Sequence, residues 1–560
     1  MRILSGVAAA AFVTGGLLAQ TGGAQAQTVV ASWIQYGPAS SNPTPTNYGD
    51  LKPTAGNPAS LVPTILARSV ITGGSCPSVT LDHAGAPIAM NARFDASTLT
   101  SGLDKTFSIY TDYPTGFVDA TATAGTFANG FPKATTASTV CEAIIPAGHT
   151  VATINGTDLK LPVANPKRIL VIGDTGCRLN SSKGGAASQS VLSTDASVTA
   201  GAQQNCNDPA SFPFKALADY EAQFKPDLIL HVGDYFYRDS NCVKSGVETA
   251  AGCTNPASAA YMPWGDTFDS WNADVFIPGK NLLAAAPWVM VRGNHESCGR
   301  GARGWFAMMD PRPYFDPWVK CRKNAGNAAV GASASTYSAD FAPTYVVPAG
   351  NAFILAHDSS FANDGTVDVN MAKNFDFDLT AVLNALPANA YSIYATHKPV
   401  YGYVAPTLND AGDFTEQYTM SGAPTGVASA FTGGVPAKLA LMLSGHVHQF
   451  EYLNFQDYTH FAPQMVVGVG GDNLDPTANP NGTTATYKPT NGSSFKVHNN
   501  ATTSTTTTTT VQSGYAQALF GFAVLDATPT GFVANVYNTT ATKAGRCTIT
   551  LNPRNIACWQ

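Results

Sequence analysis

The chain has 560 residues, too many for one compact core and enough for two or more domains. Charged residues make up 12%, well under the roughly 25% usual in soluble domains, so Ser, Thr, Asn and Gly must carry much of the polar surface. A formal charge of -6 speaks against the basic surface that a nucleic-acid partner would need, and no such partner is expected.

Residues 1–26 read as a secretory signal. Arg2 supplies a positive start, an Ala/Val/Leu-rich run follows from Ile3 to Ala19, and Ala24-Gln25-Ala26 fits a small-x-small cleavage site. Ser5, Gly6, Thr14, Gly15 and Gly16 interrupt the apolar run, which is short for a membrane span. A secreted or periplasmic protein beginning near Gln27, with no membrane span after signal removal, is the expectation. Ten cysteines in an exported chain suggest a disulfide framework. Spacing points to neighbours: Cys76 with Cys141, Cys177 with Cys206, Cys242 with Cys253, Cys298 with Cys321, and Cys547 with Cys558. The rival, a cysteine metal site, is weakened by the lack of any C-x-x-C.

From Gln27 to Pro166 short alternating runs are punctuated by Pro, Gly and Asn. Thr64–Arg68, Thr106–Tyr110 and Val151–Ile154 are examples, and the pattern is that of an antiparallel, all-β domain spanning 27–166. The texture then changes. Arg168–Ile172 is an apolar strand ending in Gly173-Asp174-Thr175-Gly176, and a helical segment is expected around Phe214–Phe224. Leu228–Val232 is a second apolar strand, bounded by Pro226 and ending in Gly233-Asp234-Tyr235-Phe236-Tyr237. A continuous apolar run of this length suits a parallel strand buried on both faces, and open α/β sheets place their ligands just past the carboxyl ends of such strands. Pro287–Val291 leads into Arg292-Gly293-Asn294-His295-Glu296, Ser392–Thr396 into His397, and Ala440–Ser444 into Gly445-His446-Val447-His448. Met371–Leu386 is a candidate covering helix. A low-complexity stretch from about 475 to 512, with near-continuous Thr at 502–510, reads as a surface loop. Alternating runs at Ala518–Leu525 and Gly531–Val536 read as closing strands of the same core, which gives a second domain over 167–560.

Gly-Asp after a strand is weak evidence by itself, because Asp is common in turns. Gly-Asn-His-Glu is better, and Gly-His-Val-His is moderately specific: alternate residues of an extended segment point to opposite faces, so both histidines reach one site only if the backbone turns. His397 alone reads as a polar residue near a strand end. Five apolar strands each delivering Asp, Asn or His at the carboxyl end are hard to obtain by accident.

This order of motifs (D-x-G, GD, GNH, a lone His, GHxH) resembles the calcineurin-like metallophosphoesterase superfamily. Gly233-Asp234-Tyr235-Phe236-Tyr237 is similar to the GDxxY block of purple acid phosphatases. The resemblance covers roughly Arg168–Glu451 and implies a four-layer α/β/β/α sandwich preceded here by the all-β domain. It assigns Asp174, Tyr237 and His448 to a ferric ion and Asn294, His397 and His446 to a divalent ion (Fe, Zn or Mn), with Asp234 bridging both. The implied function is an exported acid phosphatase-like hydrolase of phosphate monoesters, acting through a hydroxide held between two metals. A phosphodiesterase or nucleotidase on the same centre is the alternative, and a non-catalytic cell-surface binding protein the third reading. His295 adjoins Asn294 and is the candidate acid for the leaving group, with orientation of a ligand as its other role; Glu296 is expected to anchor the loop. The chain departs from the purple acid phosphatases after His397, where no further histidine follows to grip phosphate. Lys398, Tyr401 and Arg178 are the residues that could replace it, though each is more often a surface or packing residue.

Overall fold

A computed structural model describes residues 27–39, 57–95, 127–128, 131–132, 138–179, 204–238, 262–296, 300–313, 342–360, 362, 369–400, 435–458, 461–475, 477, 484–487, 496–497, 501–502 and 507–559. The leader at 1–26, the run Thr106–Tyr110, Tyr401 and the pairs Cys242/Cys253 and Cys298/Cys321 lie outside these residues.

Among the described residues, an eleven-stranded sheet runs in the order Arg554–Trp559, Lys543–Leu551, Gly531–Asn538, Gly521–Thr528, Arg168–Ile172, Leu228–His231, Trp288–Met290, Thr28–Gly37, Thr64–Thr72, Thr139–Ile144, Asn91–Asp95. Its centre is parallel: Ile169 faces Leu228, Ile229 faces Trp288, and Trp288 faces Gln35. An eight-stranded sheet contains Ala352–His357, Tyr391–Thr396, Leu439–Ser444 and Gln464–Val467 as successive parallel neighbours. The apolar runs of the sequence explain both centres. Ile169, Val171, Leu228 and Leu230 pack with Ile354, Ile393, Leu441 and Leu443 of the other sheet. Their alternates Leu170, Ile172 and Ile229 turn to the opposite face and meet Phe214 and Leu217 of the helix Phe214–Gln223. Leu355, Tyr394 and Met442 likewise leave the eight-stranded sheet on its other side, against Phe375, Leu379 and Val382 of the helix Val369–Ala385. Strands buried on both faces need apolar residues at every position, hence the loss of alternation.

The β-rich character read for 27–166 appears in its described part, but the sheet crosses the boundary at 166/167. Thr28–Gly37, Thr64–Thr72, Thr139–Ile144 and Asn91–Asp95 extend the eleven-stranded sheet directly. Trp33 and Tyr36 of the first of these strands are buried, and its backbone is paired on both sides, with Trp288–Met290 and Thr64–Thr72. A separate four-stranded sheet, which includes Ser78–Leu81 and Val151–Ile154, covers the outer face through Val79, Leu81 and Ile154 against Ala67 and Ile71. The closing strands Gly521–Thr528 and Gly531–Asn538 pair antiparallel, and the first flanks Arg168–Ile172. Three of the expected disulfides are present: Cys76–Cys141, Cys177–Cys206 and Cys547–Cys558.

Candidate metal centre

The strand ends of both sheets converge on one point. The backbone N–H of Asp174 donates to Gly233 O at 2.9 Å and that of Thr175 to Asp234 O at 2.9 Å, locking two neighbouring turns together. Asp174, Asp234 and His446 all have positive φ (57°, 57° and 70°), a conformation that costs a non-glycine residue energy and clusters at functional sites. Glycine is needed at Gly293 and Gly445 for closeness: a Cβ there would strike the carboxylates of Asp234 and Asp174. Glu296 has the anchoring role expected of it. Its carboxylate accepts from the N–H groups of Gly293 (2.9 Å), Asp234 (3.1 Å), Tyr235 (2.9 Å) and Phe236 (3.0 Å), joining the Gly-Asn-His-Glu turn to the Gly-Asp turn.

Of the seven candidate ligands, Asp174, Asp234, Tyr237, Asn294, His397 and His448 are linked by direct contacts. Tyr237 Oη lies 2.8 Å from Asp174 Oδ1, 2.8 Å from Asp234 Oδ2 and 2.9 Å from His448 Nε2. On the other side, His397 Nε2 lies 3.1 Å from Asp234 Oδ2 and 2.9 Å from Asn294 Oδ1. Asp234 Oδ2 thus stands between two groups of donors. The seventh, His446, donates its backbone N–H to Asp174 Oδ2 at 3.0 Å. Its ring stands edge-on to His397 with centroids 5.2 Å apart, and ligand atoms of Asp234, His397 and His446 fall within 4.8 Å of one another. His295 is buried, donates its N–H to Asp234 Oδ1 at 2.8 Å, and sets its ring 4.0 Å from that of Tyr237.

The donor set fits metal. His397 Nδ1 donates to Val232 O (2.9 Å) and His448 Nδ1 to Asn473 O (2.7 Å), so each ring turns Nε2 inward, as ligating histidines oriented by carbonyls do. Two carboxylates, a phenol, an amide oxygen and imidazole nitrogens suit first-row transition ions. Electrostatics agree. Burial, then Asp174, Asp234 and Asp472, push the Tyr237 phenol well above its ordinary range, against the opposing charge of Arg178. Burial would lower His448, but Asp472, Asp174 and Asp475 outweigh it and bring it to about 10. Burial would also lower His397, and Asp234 reverses this to raise it. Without a cation, protons must supply the positive charge among these oxygens.

Sequence reading missed two supporting turns. Strand Gln464–Val467 runs into Gly470-Gly471-Asp472-Asn473, where Asp472 N–H donates to Asp174 O at 3.0 Å and Asp475 Oδ2 accepts from His448 N–H at 2.9 Å. Strand Ala352–His357 runs into Asp358-Ser359-Ser360, where Ser360 Oγ accepts from Arg292 Nε at 2.8 Å, just before Asn294. Both were signalled by the same device, an apolar run followed by Asp. Of the proposed phosphate-gripping residues, Lys398 is buried and donates to Ala362 O at 2.6 Å, whereas the Arg178 guanidinium lies 4.7 Å from the centre of the Tyr237 ring.

A family model described as Calcineurin-like phosphoesterase matches residues 167–450, and the chain belongs to that family. It is a metal-dependent phosphoric ester hydrolase. No match is found among curated proteins. Solved structures similar to it include a purple acid phosphatase from yellow lupin (Lupinus luteus) seeds, with 13% identity, TM-score 0.42, and 85% of this chain and 71% of that one covered. PhoD follows with 10% identity, TM-score 0.43, and 95% and 92% covered. A dimetal phosphatase from Danio rerio has 11% identity, TM-score 0.35, and 69% and 100% covered. Scores this low carry no detail of the site, which rests on this chain's own residues.

Proposed function

We propose that the protein is an exported phosphomonoesterase of the purple acid type, built as an α/β/β/α sandwich. Asp174, Tyr237 and His448 would hold one ion, Asn294, His397 and His446 a second, and Asp234 would touch both. The observation that carries this is the position of Asp234 Oδ2, 2.8 Å from Tyr237 Oη and 3.1 Å from His397 Nε2. When bound, two such ions lower the pKa of a shared water and neutralise charge on the phosphoryl group. A neutral amide from Asn294 suits a divalent ion, whereas a phenolate with carboxylates suits a trivalent one, iron by preference. The chain's own part is to hold these donors rigidly, since the paired turns and Glu296 leave Asp174 and Asp234 little freedom to move. His295, beside Asn294, would donate the proton that the leaving alcohol needs. Export is supported by the three disulfides and by the leader read in residues 1–26. No helix among the described residues is long and apolar enough to cross a membrane.

The test is turnover of p-nitrophenyl phosphate against its bis-ester after metal reconstitution. Preference for the monoester supports the proposal, preference for the diester moves the assignment to a phosphodiesterase, and turnover of neither leaves the binding-protein reading. His295→Gln should remove the alkaline limb of the pH–rate profile. An unchanged profile would assign His295 to orientation alone.

A further inference from the structure

Tyr237 and His448 reach the centre from different sheets, and one ion pair touches both. Arg178 follows the strand Arg168–Ile172 of the eleven-stranded sheet, and Asp472 follows Gln464–Val467 of the eight-stranded one. Arg178 Nε lies 3.0 Å from Asp472 Oδ2 and 3.2 Å from Oδ1, and Nη2 also donates to Oδ2. The two side chains are 11% and 0% exposed. The guanidinium carbon of Arg178 lies over the Tyr237 ring, 4.7 Å from its centre, while Asp472 Oδ2 stands 3.4 Å from His448 Nδ1. Arg178 is itself framed: its N–H donates to Gln204 Oε1 at 2.8 Å, its carbonyl accepts from Gln204 N–H at 2.8 Å, and Gln204 Nε2 donates to Gly471 O at 2.8 Å. Cys177–Cys206 closes the same frame one residue away.

We propose that Arg178 and Asp472 are a positioning pair that sets Tyr237 and His448, from opposite sheets, at the separation one metal ion requires. The proposal rests on the ligand assignment above. A forked, two-point bond fixes the guanidinium in a way that a lysine ammonium cannot, and that guanidinium lies over the tyrosine ring. Asp472 acts on the histidine from behind, as outer partners of metal ligands do. The largely buried pair connects residues 294 positions apart, so it ties the sheets together at the centre itself.

The probe is Zn2+ alone, titrated into metal-free protein by calorimetry, with thermal unfolding and far-UV circular dichroism recorded on each variant. Arg178→Met and Asp472→Asn should each weaken one of two binding steps by about 10- to 100-fold, the range for outer partners of metal ligands, and leave the other step within about 3-fold. The double variant should be no weaker than the poorer single, because the pair acts as a unit. Arg178→Lys should recover only part of the loss. Two unaltered binding steps in every variant would overturn the pair while leaving the ligand assignment intact. Additive losses, or equal loss of both steps with a lowered melting point, would reduce the pair to a general stabilising contact and also overturn it. Failure of the unmodified protein to take up Zn2+ would overturn the ligand assignment and the pair together.

Discussion

Among the described residues, two buried clusters of charge are built in opposite ways. Where the first strands meet the segment Ala302–Arg312, Arg68, Arg93 and Arg312 share the carboxylates of Glu142 and Asp310. Arg68 Nε donates to Glu142 Oε2 at 2.7 Å and Nη1 to Met308 O at 2.8 Å. Arg93 donates to the carbonyls of Ala307 (3.1 Å), Phe306 (3.2 Å) and Arg312 (2.8 Å). Burial and the neighbouring Arg93 pull the Arg68 guanidinium down to about 10, so it stays charged at neutral pH. Cations and acceptors are matched within the chain. At the strand ends, by contrast, Asp174, Asp234 and Tyr237 press oxygen against oxygen, Asp174, Asp234 and His446 have positive φ, and His397 and His448 turn Nε2 into the same space. The first cluster is matched by groups of the chain itself; the second has the donor set that a bound cation would match.

That contrast can be broken at the matched cluster first. Glu142→Gln leaves two buried guanidinium groups short of a counter-charge, and should cost roughly 3–5 kcal/mol of unfolding free energy. Urea titration checks this, and a loss below about 1 kcal/mol would mean the network is not what binds the N-terminal strands to the rest of the sheet.

The second test reaches the boundary between fold and site. Cys177–Cys206 closes a 29-residue separation beside Asp174. Chain-entropy reasoning gives such a bridge roughly 3–4 kcal/mol at most. Its place next to Arg178 and Asp174 predicts a local effect as well: mild reduction should release metal before far-UV circular dichroism changes. Simultaneous loss of both signals would show that the bridge acts on the whole fold only.

The last test is made at the centre itself. Asp234→Asn removes the carboxylate that stands between His397 and Tyr237, so its effect is read on bound metal rather than on the metal-free fold. Metal analysis of the same variant should show both ions depleted, whereas His446→Ala should deplete mainly one. Retention of both ions in Asp234→Asn would remove Asp234 from the position between them.

The sequence by itself determined the local pieces: the apolar strands, the turn that follows each, the short-range pairing Cys177–Cys206, and the seven residues that the turns bring to one end of the sheets. These are legible because strand, glycine and polar residue are adjacent in the chain, and burial on both faces writes itself as an unbroken apolar run. Tertiary structure alone decided how the first strands are used. Nothing in Trp33-Ile34-Gln35 announces that Gln35 will pair in parallel with Trp288 and carry the eleven-stranded sheet across residue 166. It also decided that Asp472, 294 positions from Arg178, would close behind His448, and that Ser360 would hold Arg292. Such contacts depend on the register of strands far apart in sequence, and a single Asp or Arg in a turn carries no mark of the partner that register will bring to it.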